Sequence, residues 1–328
     1  MRISNNMMTF NYLNSLNKAL QRQSKLQEQL TDGKAIHRPS DDPIKTIRSL
    51  RFNTNLTMNQ QYVQNVKDAV SWLDSTDSAM SDVGSVLIRA QELAVKAGGI
   101  NNETSYKAIA AEVDGLINHL VQVGNTQVGD RYIFSGQMDK TQALERKTIT
   151  IADPDDPSQT IEKDVVIYKG DMNKISMPVQ PGAVDPDQDS VNVSADQVFG
   201  PVTMVQGSDG TLYPTLDVFS HMIELKQELQ KTPPDQQWIS NTAIKNLNAD
   251  HTRMLSTQTV VGERQSQYEM TLNMLNKAET TISADIAANE DIDLARVLID
   301  FKTSENVYNS ALAVGARILP RSLVDYLS

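Results

Sequence analysis

The sequence predicts a mostly α chain: a long antiparallel helical bundle with coiled-coil terminal helices and one inserted β-rich domain. Three observations carry that expectation. Apolar residues recur at three-four spacing over two long stretches, 59–97 and 244–286. Between them, from Tyr132 to Leu216, short β-branched runs alternate with Pro, Gly and Asp. Aromatic side chains are only 5% of the 328 residues, so the core must be built from Leu, Ile, Val, Ala and 13 Met, which suits helix seams.

In chain order, residues 1–40 form the first terminal coiled-coil helix. Leu13, Leu16, Leu20, Leu26 and Leu30 make an apolar face crowded by Gln21, Gln23, Gln27 and Gln29. A turn follows at Arg38, Pro39, Asp41, Asp42 and Pro43: the prolines interrupt helical backbone, and Asp41 or Asp42 can cap the next helix by accepting its unpaired N–H groups. Residues 41–131 are the N-terminal part of the bundle. Val63, Val66, Val70, Leu73, Met80, Val83, Leu87, Ala90, Ala94 and Ala97 share one stripe, Gly98-Gly99 stops it, and Asn101 or Asn102 caps a second helix from Tyr106 to Val123.

Residues 132–230 are the inserted β-rich region. The runs Thr148–Ile151, Val165–Tyr168 and Val191–Val193 read as strands, and 216–229 reads as a short helix ended by Pro233-Pro234. Residues 231–289 supply the C-terminal bundle helix, whose heptad-like frame is interrupted by Gln258, Gln265 and Glu279. Residues 290–328 are the second terminal coiled-coil helix, with Leu294, Leu298, Phe301, Tyr308, Leu312 and Leu319 in frame and Glu305 and Gly315 occupying two frame positions. Periodicity alone does not choose between packing within one chain and between chains. The arrangement favours assembly, because both end segments are seams that pair poorly alone and gain most from neighbours. The eleven seam residues named in the two end segments are therefore the expected assembly interface.

Composition narrows the function classes. A formal net charge of −11 argues against nucleic acid, whose affinity depends on Lys and Arg displacing counterions. The charge is concentrated in residues 139–218, with 14 Asp or Glu against 6 Lys or Arg. No apolar run reaches the roughly 18 residues that span a bilayer, so no membrane is expected, and MRISNNMMTF lacks the features of a cleaved leader. With no Cys there is no disulfide, thiolate site or Cys nucleophile.

Asp185, Asp187, Asp189 and Asp196 stand at positions 1, 3, 5 and 12 of a loop faintly like a calcium site, but Ser190 takes the place of the required Gly. His37, His119, His221 and His251 are scattered, with no pair at metal-ligand spacing. There is no Gly-rich phosphate loop, nucleophile elbow or H-E-x-x-H element, so neither cofactor nor catalysis is expected.

Several segments resemble the bacterial flagellin superfamily, more closely its hook-filament junction members. They are Met1-Arg2-Ile3-Ser4, the turn from Arg38 to Pro43, and Arg131-Tyr132-Ile133-Phe134-Ser135-Gly136. Further on, Tyr168-Lys169-Gly170-Asp171, Val198-Phe199-Gly200, Val261-Gly262-Glu263-Arg264 and Leu319-Pro320-Arg321-Ser322-Leu323 are also similar. Residues 1–140 and 250–328 carry the likeness and 141–249 only scattered positions. The resemblance implies an extracellular structural adaptor in a ring between hook-associated protein and flagellin, contacting both and copies of itself. It also implies export unfolded through the flagellar channel, with an export chaperone at residues 290–328. Other readings are flagellin proper, an enzyme or ligand-binding module in the middle region, and an intracellular coiled-coil scaffold.

Overall fold

The computed structural model describes residues 2–99, 102–152, 160–179 and 190–318. They form two compact units, a terminal one of residues 1–60 and 277–328 and a central one of residues 61–276. Seven α-helices and six short strands make up the described chain: α1 (Arg2–Asp32), α2 (Pro43–Gly98), α3 (Glu103–Gly124), β1 (Gln127–Val128), β2 (Arg131–Tyr132), β3 (Leu144–Ala152), β4 (Thr160–Tyr168), α4 (Ala195–Phe199), β5 (Val202–Gln206), β6 (Leu212–Leu216), α5 (Asp217–Gln230), α6 (Ile244–Glu290) and α7 (Leu294–Ile318). A π-helical turn, Trp238–Ala243, leads into α6.

The central unit holds the apolar core. The predicted stripe of α2 is buried at every position except Val70, which is half-buried. Its helix starts at Pro43, where Asp42 caps it, and so runs ahead of the stripe that the spacing marks from Asn59. At α3 the cap is Asn102, whose side chain accepts from the Thr104 N–H; Asn101 lies outside the described residues. The interruptions of the α6 frame are cross-helix hydrogen bonds. Gln258 donates to Asp77 at 3.0 Å and Gln265 to Asp74 at 2.6 Å, both on α2. Such polar layers fix which turn of one helix faces which turn of the other.

The inserted region is an antiparallel sheet in the order β3-β4-β6-β5. Its buried side chains Leu144, Val166 and Tyr168 belong to the same core as α2, α3 and α5, and Ile149, Val165 and Ile167 cluster on the other face. Phe134, Phe199 and Phe219 join the elements, with ring centroids 5.3 and 5.4 Å apart. Arg146 and Lys226 share Asp114 and Asp164, a four-member charge cluster linking α3, β3, β4 and α5.

The run Val191–Val193 is not a strand. Val191 and Val193 are buried and the Val191 N–H donates to the Ile175 carbonyl at 2.8 Å, but the pairing goes no further: the Asn192 side chain accepts from the Ile175 N–H at 2.7 Å and donates to the Asn173 carbonyl at 3.0 Å. The hairpin β5–β6 was not expected from the pattern; it closes through Gly207-Ser208-Asp209-Gly210, with Gly207 N–H on the Thr211 carbonyl at 2.8 Å.

The family-like motifs are explained by this packing. Ile133 and Phe134 are buried, and Gly136 has φ +66°, placed so close to Asp171 that a Cβ would overlap it. The Asp171 carboxylate accepts from the Gln137 N–H at 2.8 Å, and the Tyr168 hydroxyl reaches the carbonyls of Phe134 and Asp171. Arg264 reaches the carbonyls of Ser190 and Asn192 at 3.3 and 3.4 Å.

Candidate assembly interface

Within the terminal unit, α1 and α7 run antiparallel. The Tyr12 hydroxyl donates to the Ala311 carbonyl at 2.9 Å; at the other end Ala35 N–H donates to Glu290 O at 2.6 Å and Ile292 N–H to Gly33 O at 3.0 Å. The seam is read from burial. In α1, Tyr12, Leu16, Ala19, Gln23, Leu26 and Leu30 are half-buried; in α7, Val297, Phe301, Ser304, Tyr308, Ala311 and Gly315 are the enclosed positions. Both sets repeat in four-three steps, the spacing of a coiled-coil seam. Gly315 is required by closeness, since a Cβ would overlap the Tyr12 ring. Lower in the pair, a groove of about 660 Å³ remains between Leu26 and Val307 among Arg22, Asp300 and Ser304, so the seam is incompletely filled.

The expected interface residues divide between two surfaces. Leu16, Leu26, Leu30, Phe301 and Tyr308 lie in the seam. Leu13, Leu20, Leu294, Leu298 and Leu312 lie beside it and are exposed. Leu319 lies outside the described residues, as do Asp185, Asp187 and Asp189 of the acidic loop.

The turn is held by both aspartates, in different roles. Asp42 accepts from the Ile44 and Lys45 N–H groups at 3.1 and 3.0 Å and is the cap; Pro43 takes the first helical position. Asp41 turns back toward α1, accepting from Lys25 at 2.7 Å and from the Arg38 N–H at 3.1 Å. The Lys25 hydrogen bond, followed by the one from Arg38, holds its carboxyl at about 2. Arg38 and Pro39 are exposed.

Beneath the turn, Glu290 is a buried carboxylate that receives Lys34 at 2.9 Å and the Ser49 hydroxyl, while Asn289 donates to the Lys45 carbonyl at 3.0 Å. The bond from Ser49 lowers the Glu290 pKa; burial opposes the shift and Lys34 adds to it. Glu290 was not marked as a site by sequence reasoning, and only its place at the junction of two helical patterns could have drawn attention to it.

One contrast decides what this unit can do. Every buried apolar side chain among the described residues lies between Val63 and Leu275, in the central unit. Among the described residues, the terminal unit's buried side chains are Asn59, Asn289, Glu290 and Ser304, all polar. The described leucines and methionines of this unit are at best half-covered, and Met7, Met8, Phe10, Ile44, Ile47 and Leu50 are exposed. Sequence reasoning missed the last three, because it began the stripe of α2 at Asn59.

Residues 3–139 match the family model of the bacterial flagellin N-terminal helical region. Over that stretch the chain is similar to the bacterial flagellin superfamily. The flagellar hook-associated protein 3 of Salmonella typhimurium (strain LT2) is 31% identical over 145 residues, 44% of this chain and 45% of that protein. The chain thus spans about half the length of this curated relative. The flagellin of Bacillus subtilis (strain 168) is 21% identical over 316 residues, 95% of this chain and 93% of that one. Among solved structures, flagellar hook associated protein-3 from Legionella pneumophila shares the fold, with TM-score 0.55 and 16% identity over 72% of this chain and 97% of that one. The superfamily is one of flagellar structural proteins, and no helix of the described residues is long and apolar enough to cross a membrane.

Proposed function

We propose that this chain is a structural adaptor subunit of the bacterial flagellum, joining a hook-associated protein to the flagellin filament by assembly of its terminal helices. The observation that carries the reading is the terminal unit's lack of any buried apolar side chain among the described residues, beside five exposed leucines flanking its seam. Covering one such half-exposed leucine contributes on the order of 1 kcal/mol. Neighbouring subunits supply that cover. In this reading the partners are the adjacent hook-associated protein, flagellin and copies of the chain itself. The work is done outside the cell, after export, with no catalytic step; the segment 290–328 is where an export chaperone engages before assembly. Arg38 and Pro39, exposed at the turn, contact an axially adjacent subunit.

A second reading, flagellin proper, is favoured by the near full-length alignment with the Bacillus flagellin. Seeding separates the two: the purified chain is added to filament fragments and growth is followed by electron microscopy. A junction subunit caps fragment ends without elongating them, whereas steady elongation establishes the flagellin reading. Absence of any binding to hook or filament ends overturns both.

A further inference from the structure

A groove of about 700 Å³ lies on the central unit, between α6 and the segment that carries Val193 and α4. Its walls are pinned: the Thr257 hydroxyl donates to the Gln197 carbonyl at 2.8 Å, and Arg264 reaches the Ser190 and Asn192 carbonyls. In a chain of net charge −11 this groove is cationic. Arg253 and Arg264 line it, and among the described residues no carboxylate does. Asp250, which bonds to Arg253 at 3.1 Å, is wholly buried and outside the lining. Arg253 spends one N–H on Asp250 and Arg264 no more than two on the carbonyls; a guanidinium has five, so at least three of each remain uncommitted among the described residues.

The two arginines stand about 16 Å apart along the α6 axis and about 20° round it, so both face the same side. Val260 lies between them on that side and is 42% exposed, and Val193 and Ala249 add to the apolar lining. The side chains of Gln197, Asn248 and Ser256 also line the groove and make no hydrogen bond among the described residues, which leaves donors and acceptors for a peptide backbone. A cation at each end, an apolar middle and polar groups along the length together match an extended acidic peptide. In an extended strand residues i, i+2 and i+4 point one way and span about 13 Å, a distance the flexible arginine side chains can meet. A helix of about 10 Å diameter over the same length occupies about 1,300 Å³, well beyond the groove. We propose that the groove binds an extended segment of another protein with the pattern acidic-x-apolar-x-acidic, its carboxylates on Arg253 and Arg264 and its central side chain on Val260. The site lies wholly in the central unit and does not depend on assembly of the terminal helices.

Fluorescence anisotropy with the full-length protein tests it. The probe is a labelled five-residue peptide with glutamate at both ends, valine at the centre, serine between and both termini blocked. Saturable binding at about 0.1–1 mM is expected, weakened about tenfold or more when glutamine replaces both glutamates. Arg264→Gln should weaken it by a similar factor, and Val260→Asp, which puts a like charge in the middle of the groove, should abolish it. Should a variant fail to fold, the glutamate-to-glutamine comparison on the unaltered protein decides alone. The proposal is overturned if the glutamate peptide does not saturate by about 5 mM, if the glutamine peptide binds equally well, or if either folded variant binds normally. Sedimentation velocity of the protein alone addresses the other occupant: self-association that Val260→Asp abolishes would assign the groove to a second copy and overturn the peptide reading.

Discussion

Replacing Glu290 by alanine tests how the paired terminal helices are anchored. The carboxylate is enclosed, and loses three partners: the Ser49 hydroxyl, Lys34 at 2.9 Å, and Asn53 at a long 3.4 Å. A hydrogen bond from a neutral donor to a charged, buried acceptor contributes about 1.5 kcal/mol. Lys34 is half-exposed, so solvent screening reduces its share to about 0.5 kcal/mol. Glu290→Ala should therefore lower the local opening free energy by about 2 kcal/mol, or roughly thirtyfold in exchange rate. The assay is amide hydrogen exchange at Ala35 and Ile292, whose N–H groups make the bridge between the α1 turn and the α6–α7 corner. The pH dependence carries a sign. The Glu290 pKa is lowered in the folded chain, first by the bond from Ser49, so its stabilisation is complete above the ordinary 4.5 and is lost as pH falls through the folded value. After correction for intrinsic rates, acid should speed exchange in the unaltered chain and not in Glu290→Ala. A variant within about threefold of the unaltered chain at neutral pH would refute the anchoring argument.

In the central unit, Phe199→Ala should destabilise by about 3–5 kcal/mol in denaturant unfolding, because it empties the space between Phe134 and Phe219. Gly136→Ala should cost about 2 kcal/mol or more, from positive φ and overlap with Asp171, and show as a lowered melting temperature. Lys226→Met should cost about 1–2 kcal/mol and raise the pH at which acid unfolding begins. Burial pushes the Asp164 carboxyl up, but hydrogen bonds from Lys226, Arg146 and Thr148 outweigh it and hold it at about 2; that stabilisation is complete above 3.8 and is lost as pH falls through 2. His221 bonds to Asp250 at 2.7 Å, with Asp217 and Glu224 nearby and Arg253 on the same carboxylate, and the Asp250 bond raises its pKa. Its contribution is complete below 6.5 and is lost as pH rises through the folded value, so His221→Gln should flatten the fall in stability above pH 6.5.

The long helices were legible because their stripes are buried on one side only, and the α2 stripe reads from the sequence almost residue for residue. The polar interruptions of α6 were legible as interruptions but not as bonds: Gln258 and Gln265 gain meaning only when Asp77 and Asp74 are opposite. In the terminal pair, the leucines were read as one face. Leu13, Leu20, Leu298 and Leu312 each sit one residue past a seam position, about 100° round the helix, while Tyr12, Ala19, Val297 and Ala311 take the seam. Leucine by itself does not mark burial at these positions, where the smaller or polar-tipped residue is the covered one. The Val191–Val193 run failed as a strand because β-branching signals an extended, buried backbone but not whether a neighbouring strand or an asparagine side chain satisfies it.

The central claim is that α1 and α7 obtain their apolar cover from neighbouring subunits. Amide hydrogen exchange of the monomer measures this directly, comparing residues 7–32 and 294–316 with α3 and the central part of α2. The account predicts fast exchange at both ends beside a protected core, with protection of the ends appearing only on assembly. Terminal helices as protected in the monomer as α3 would contradict it.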